Sequence, residues 1–293
     1  MIRVTLVSPD APVPHSLLAI VDRATTSPRM TGGRLEYGHV AQVLGGCADP
    51  DGLRAALRRE AGPVAVAVVG EPLASDPARL LLLDVDSTLT TTEAIDLLAE
   101  HAGAALRVAE ITERAMRGEL DFAASLRERV ATLAGLPVTV LDEVAPLMTL
   151  SPGAESLVAA AKAAGARIGV TSGGFTQLVA PLAARLELDF FHANLLETEV
   201  VDGTERLTGR VTGTIVDRRQ KAEDLRRFAA RHAVDLALTV AVGDGANDLD
   251  MLAAAGLGIA YCAKPVTAEA ADVAVAFPRL DAVAPLAFGV PRA

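Results

Sequence analysis

Apolar positions follow two different rhythms, and the change between them divides the chain near residue 75. In the first part, Ile2–Val7 reads as a strand, closed by Ser8-Pro9-Asp10-Ala11-Pro12-Val13-Pro14. His15–Arg23 carries Leu17, Leu18, Ile20 and Val21 at helical spacing. Arg34–Gln42 and Val43–Cys47 read as extended segments. Asp49-Pro50-Asp51 is a helix start ahead of amphipathic Leu53–Glu60, and Val64–Val69 reads as a last strand. The order β-α-β-β-α-β predicts a small ferredoxin-like α+β domain over residues 1–75. Glu71–Pro77 then forms a proline-marked linker.

From Leu80 the pattern changes to short, wholly apolar strands between Ala-rich helices. The strands are Leu80–Val85, Arg167–Thr171, Phe190–Asn194, Thr239–Val242 and Gly258–Ala260; helices such as Gly153–Ala164 and Lys221–His232 lie between them. Strands alternating with helices predict an α/β fold, a Rossmann-like parallel sheet over residues 80–293. Two intervals break the alternation. Residues 93–149 hold only helical segments, Glu93–His101, Ala105–Arg117, Asp121–Ala134 and Thr139–Met148, which predicts a helical cap inserted after the first strand. Glu197–Ile215 reads as a β-hairpin insertion turning at Val201-Asp202-Gly203.

Composition narrows the partners. A net charge of −10 without any basic patch argues against nucleic acid. Five scattered His argue against zinc, and two distant Cys without a CxxC pattern fit a reduced, cytoplasmic protein. No signal-peptide core and no run of ~18 apolar residues is present, so no membrane partner is expected.

Four motifs carry the candidate chemistry. The leucine run Leu80–Leu83 stops at Asp84-Val85-Asp86, and on an extended chain Asp84 and Asp86 face the same side at a C-terminal strand end. Alone, this is equally a polar strand end with a helix cap. Ser172-Gly173-Gly174 follows a strand and precedes a helix, where backbone N–H groups and a hydroxyl can meet an anion; an ordinary Gly-rich turn looks the same. Lys221 opens a helix, and a lone Lys is usually a solvated charge. Gly243-Asp244-Gly245-Ala246-Asn247-Asp248 aims oxygen ligands from Asp244, Asn247 and Asp248 at one point, as a hard cation requires.

These motifs, in this order over residues 80 to about 278, resemble the haloacid-dehalogenase superfamily of aspartate-nucleophile phosphatases. The resemblance implies that Asp84 attacks phosphorus and Asp86 serves as general acid and base. It implies Mg²⁺ held by Asp84, Asp244 and the Asp86 carbonyl, with Asp248 orienting the set from outside. Ser172, Gly173, Gly174 and Lys221 would bind the phosphoryl oxygens, with Asn247 beside them.

Within the superfamily, Asp84-x-Asp86-Ser87-Thr88 with Glu93, and Met116-Arg117-Gly118 leading through Phe122 to Arg129, are similar to the phosphoserine phosphatase family. That similarity implies Glu93 on a substrate ammonium, Arg129 on its carboxylate, and Met116 with Phe122 as an apolar lid. The bland alternative is a charged helix face and ordinary cap packing. Two positions depart from the family pattern: Val85 stands where Phe is usual, and Arg218-Arg219-Gln220 before Lys221 is unusually basic. The first 75 residues, with Pro9-Asp10-Ala11-Pro12, resemble an ACT-type amino-acid-binding domain, with Val13 where that family has Gly. A homodimer built through this domain is expected. Two other readings stay open: a phosphatase or phosphotransferase for another small phosphorylated amino acid such as phosphohomoserine, or an inert amino-acid sensor.

Overall fold

The computed structural model describes residues 1–35 and 38–290. The N-terminal unit comprises β1 (Ile2–Ser8), α1 (His15–Ala24), β2 (Thr26–Leu35), β3 (Gly38–Gly46), α2 (Pro50–Glu60) and β4 (Ala65–Gly70). Its sheet runs β2-β3-β1-β4 with every pairing antiparallel, the predicted ferredoxin-like order. The helix start at Asp49 is present: its side chain accepts the Gly52 N–H at 2.9 Å, with Pro50 in the first turn.

The two middle strands differ from expectation. The first extended segment begins at Thr26 rather than Arg34, and the second is one unbroken strand across residues 42 and 43. The part of Arg34–Gln42 at positions 36 and 37 lies outside the described residues. Pro28 and Gly32-Gly33 are accommodated because β2 is an exposed edge strand with a register shift between Thr26 and Arg29.

Both faces of the sheet are covered except along β2. Helices α1 and α2 bury Val4, Leu6, Leu17, Val21, Leu53 and Leu57 on one side. On the other, Val7, Val40, Ala65, Ala67 and Val69 join the core of the second unit. This is why every residue of β1 is buried, Arg3 and Thr5 included. The linker is likewise no free tether, since Leu73 and Ala74 are buried.

The second unit opens with β5 (Leu80–Leu83), then the cap helices α3 (Ala94–His101), α4 (Ala105–Met116), α5 (Phe122–Ala131) and α6 (Val140–Val144). It continues through α7 (Ala154–Ala163), β6 (Arg167–Phe175), α8 (Thr176–Leu186), β7 (Phe190–Val201) and β8 (Thr204–Thr212). It ends with α9 (Arg218–Arg231), β9 (Thr239–Gly243), α10 (Leu249–Ala254), β10 (Leu257–Tyr261), α11 (Pro265–Ala270), β11 (Val273–Val275) and α12 (Val283–Phe288). The sheet order is β11-β10-β9-β5-β6-β7-β8, parallel throughout except for β8 against β7. Central β5 explains its own sequence: Leu81 and Leu83 enter one core while Leu80 and Leu82 enter the core on the opposite face.

The hairpin is a prolongation of β7, turned by Asp202 (φ 50) and Gly203 (φ 74). It braces the cap. Gly135 N–H donates to the Leu207 carbonyl at 2.8 Å, and Arg206 Nη1 donates back to the Gly135 carbonyl at 2.7 Å. The three-residue strand β11 was not anticipated, being too short to show a pattern.

Candidate active site

Three strand ends and one helix start build the site. As β5 ends, the Asp84 N–H still donates to Val242 at 2.9 Å, which fixes the carboxylate at the sheet edge. Asp84 and Asp86 keep extended backbone, but Val85 between them is already helical, so the two are not aligned by simple strand alternation as expected. Ser87 then turns the chain further, at φ 57. The turn closes through Thr90 N–H to the Val85 carbonyl at 2.9 Å, and Ser151 Oγ donates to the Thr88 carbonyl at 2.7 Å. At the end of neighbouring β9, Gly243 is there for space: a Cβ would lie 2.3 Å from the Asp248 carboxyl carbon.

Lys221 is fully buried and ties these ends together. Its Nζ lies 2.7 Å from Asp84 Oδ2 and 2.7 Å from Asp248 Oδ1. Helix α9 begins at Arg218, three residues earlier than predicted, because Asp217 caps it by accepting the Gln220 N–H at 2.8 Å. Lys221 therefore sits in an ordered first turn rather than on a surface.

Oxygens of Asp84, Asp244 and Asp248 lie within 4.8 Å of one another. Burial, then Asp248 and Asp244, hold the Asp84 carboxyl well above its usual range despite Lys221. Burial and then Asp248 push Asp244 up to about 6. Burial would lower the Lys221 ammonium, but Asp248 and Asp84 more than offset it and its pKa is raised. Three carboxylates thus share one ammonium. Asp248 is fully engaged, since its second oxygen accepts the N–H groups of Asp244 at 3.1 Å and Gly245 at 3.0 Å. Asp84 and Asp244 remain the under-compensated pair, an all-oxygen donor set suited to a hard cation. Asp244 is itself oriented by Thr88 Oγ1 at 3.1 Å.

Asp86 has a different environment. It is half-buried and accepts the Ala94 N–H at 3.0 Å, where α3 begins. Burial and the neighbouring Glu93 raise it to about 7, poised to give or take a proton near neutrality. Ser172 is fully buried; its Oγ accepts the Gly174 N–H at 2.8 Å, leaving the hydroxyl proton to donate elsewhere. Gly174 supplies room, because a Cβ would come within 2.9 Å of Asp86 Oδ2.

The cap closes over this edge and leaves a cavity of about 620 Å³. Asp84, Asp86, Glu93, Met116, Phe122 and Arg129 line it, with Gly173, Gly174, Asp244 and Asn247. Ser172, Lys221 and Asp248 lie beneath its floor, each fully buried. Glu93 accepts the Ser87 hydroxyl at 2.8 Å. Arg129, half-buried on α5, has its pKa lowered by burial in spite of Glu93, Asp96 and Asp86. Among the described residues its buried Nε has no hydrogen-bond partner. Met116 is 71% exposed at the cavity mouth, and the Phe122 ring closes on Gly173.

Several contributors escaped the sequence reading. Asp96, Arg218 and Lys264 also line the cavity. Asp224, fully buried one turn after Lys221, accepts Thr171 Oγ1 at 2.7 Å, Gln220 Nε2 at 2.9 Å and Arg227 Nη2 at 2.9 Å, and meets His192 Nδ1 at 2.6 Å. Burial alone would raise it; hydrogen bonds, led by His192, more than compensate and hold its pKa low. This network locks α9 to β6 and β7, next to Lys221 and Ser172. The i+3 spacing from Lys221 was its only sequence signal.

A parallel sheet with a helical cap and paired strand-end aspartates defines a class of hydrolase, and the chain belongs to it: residues 81–253 match the haloacid dehalogenase-like hydrolase family. Over 240 residues the chain is 54% identical to the Mycobacterium tuberculosis protein named phosphoserine phosphatase SerB2, covering 81% of this chain and 57% of that one. Over 233 residues it is 56% identical to the Streptomyces coelicolor phosphoserine phosphatase, covering 79% of this chain and 56% of that one. The chain thus spans just over half the length of these two relatives. A crystal structure of a HAD family hydrolase from Salmonella enterica serovar Typhi superposes with a TM-score of 0.84 at 28% identity, covering 98% of this chain and 99% of that one.

Proposed function

We propose that the chain is a Mg²⁺-dependent phosphatase that hydrolyses O-phospho-L-serine to L-serine and phosphate. The observation that carries the substrate is the cap. Glu93 and Arg129 share the cavity with Asp84 and Asp86, and among the described residues no carboxylate pairs with Arg129 within 4.0 Å. An anion and a cation on one wall, left unpaired, match an ammonium and a carboxylate on one small molecule.

Asp84 attacks phosphorus, an acyl-phosphate bond forms, and the bond from phosphorus to the serine oxygen breaks. Asp86 gives its proton to the departing alkoxide. Asp86, now ionised, takes a proton from water as that water attacks phosphorus, which releases Asp84 and phosphate. Lys221 keeps one N–H beyond its two aspartates, and this with the Ser172 hydroxyl and the Gly173 N–H answers charge on the phosphoryl oxygens. Asp84, Asp244 and the Asp86 carbonyl would hold Mg²⁺, whose charge supplies Lewis-acid stabilisation. Phe122, whose ring closes on Gly173, excludes water from the bound ester, with Met116 exposed at the cavity mouth.

The N-terminal unit is read as an ACT-like dimerisation domain in a cytoplasmic homodimer. Its sheet face is spent on the second unit, so the exposed edge β2 is the surface left for a partner. The inert-sensor reading is disfavoured by a complete set of catalytic side chains. Phosphate release from O-phosphoserine, phosphoethanolamine and phosphoglycolate, each with Mg²⁺ or EDTA, tests the proposal. Phosphoserine should be preferred over both truncated esters; equal rates on all three would overturn the substrate, and full activity in EDTA would remove the metal.

A further inference from the structure

Arg3 is 4% exposed, and among the described residues no carboxylate lies within 4.0 Å of its guanidinium. It lies on β1, on the sheet face turned toward α12. Its Nη2 donates to the carbonyls of Leu286 at 3.0 Å and Ala287 at 3.3 Å, and its buried Nε has no partner. A helix end carries roughly half a negative charge, too little to neutralise a full cation. A buried charge ordinarily needs a complete partner. Burial pulls its pKa to about 10 with no acidic neighbour opposing the shift.

A cavity of about 220 Å³ opens beside it, between the N-terminal sheet and the end of α12. Strand register builds the wall. Arg3 pairs with Leu44 on β3, which pairs with Arg29 on β2, so the two arginines stand in one row. Gln42 and Thr31 form the next row on the same face. Gln42 Oε1 accepts the Val290 N–H at 3.0 Å, which turns its amide nitrogen away from that bond, and among the described residues that nitrogen has no partner. At the rim the Ser75 hydroxyl is already donated to Glu71 at 2.8 Å. Among the described residues no acidic side chain lines the cavity. The side-chain groups left over are therefore donors: two guanidinium groups, an amide and a hydroxyl.

We propose that this cavity binds a small oxyanion, inorganic phosphate or a carboxylate, held by Arg3 and Arg29 with the Gln42 amide and the Thr31 hydroxyl. Arginine forks match the geometry of both anions. The space leaves room for the anion and several waters at ~30 Å³ each. No residue of this site belongs to the catalytic cavity, so the proposal stands apart from the phosphatase reading. An anion here would bridge the two units through β1, β2 and the end of α12.

The test is isothermal titration of the full chain in EDTA, with inorganic phosphate in one arm and acetate in the other. Metal-free conditions remove the cation that would draw an anion to the catalytic cavity. One equivalent should bind, and the tighter arm identifies the ligand class. Arg29→Ala changes an exposed side chain and should weaken binding at least ~tenfold, the loss of one charge-assisted hydrogen bond. Arg3→Met should abolish it; should that variant fail to fold, Arg29→Ala and Thr31→Val carry the test. Arg129→Ala should bind like wild type. No binding in either arm, or binding unchanged in Arg29→Ala, would overturn the site and leave Arg3 as a helix cap.

Discussion

Replacing Arg129 with Ala separates recognition from structure. In the free protein its guanidinium is held by longer-range attraction to Glu93, Asp96 and Asp86 and, among the described residues, not by a direct ion pair. Its removal therefore strands no buried carboxylate, and the desolvation cost of a half-buried cation disappears. Thermal stability should hold or rise slightly. On the proposed role of Arg129, by contrast, a forked pair to the substrate carboxylate is lost, costing about 1.5–3 kcal/mol. At 1.4 kcal/mol per factor of ten, kcat/KM for O-phosphoserine should fall roughly 10- to 150-fold. Phosphoethanolamine has no carboxylate, and its kcat/KM should change by no more than about threefold, below ~0.7 kcal/mol. The assay is phosphate release on both esters with a melting curve on each protein. Equal losses on the two esters, or a collapse in stability, would refute the reasoning and make Arg129 a structural residue of the cap.

Three further outcomes follow from the same geometry. In the metal-free protein Asp244 and Asp86 have pKa values raised to about 6 and about 7, so their protonated forms favour the fold. That contribution is complete below the ordinary carboxylate pKa of ~3.9 and is lost as pH rises through 6 and 7. Melting temperature in EDTA should therefore fall between pH 5 and 8 (about the span of these titrations), less steeply in Asp244→Asn, and Mg²⁺ should restore more at the upper end; an upward trend in EDTA would contradict this. Gly174→Ala brings a methyl within 2.9 Å of Asp86 Oδ2 and should cut kcat by at least ~10²-fold, the scale of a displaced acid-base group, with the fold intact by circular dichroism. Asp224→Asn should lower the melting temperature and kcat together, because it loosens α9 beneath Lys221; wild-type values for both would show the network to be idle.

What could be read from the sequence follows from how local each feature is. Asp84 was legible because a wholly apolar four-residue strand must be central and ends just before it. Asp86 lines the same cavity, but through a helical Val85 and not through the extended repeat the sequence suggested. The cap was legible because residues 93–149 keep helical spacing, and α3 to α6 lie where that spacing puts them. Lys221 was different. Nothing local distinguishes it from a surface lysine, and only the resemblance singled it out; its burial depends on Asp84 and Asp248 arriving from two other strands. The Asp224 network was invisible for the same reason, since Thr171 and His192 come from β6 and β7. Strand β2 hid because an exposed edge needs no apolar alternation and tolerates Pro28 and two glycines. The shared core across Val7, Val40 and Leu73 hid because a linker rich in proline looks the same whether it swings free or packs.

The proposed mechanism requires that the Asp84 carboxylate becomes phosphorylated. Rapid acid quench of the full chain with Mg²⁺ and O-phosphoserine labelled in its phosphoryl group, followed by peptide mass spectrometry, tests it directly. Label should appear on the peptide containing Asp84 before free phosphate and be lost on base treatment, with neither label nor turnover in Asp84→Asn. Turnover retained in purified Asp84→Asn, or label on any other residue, would contradict it.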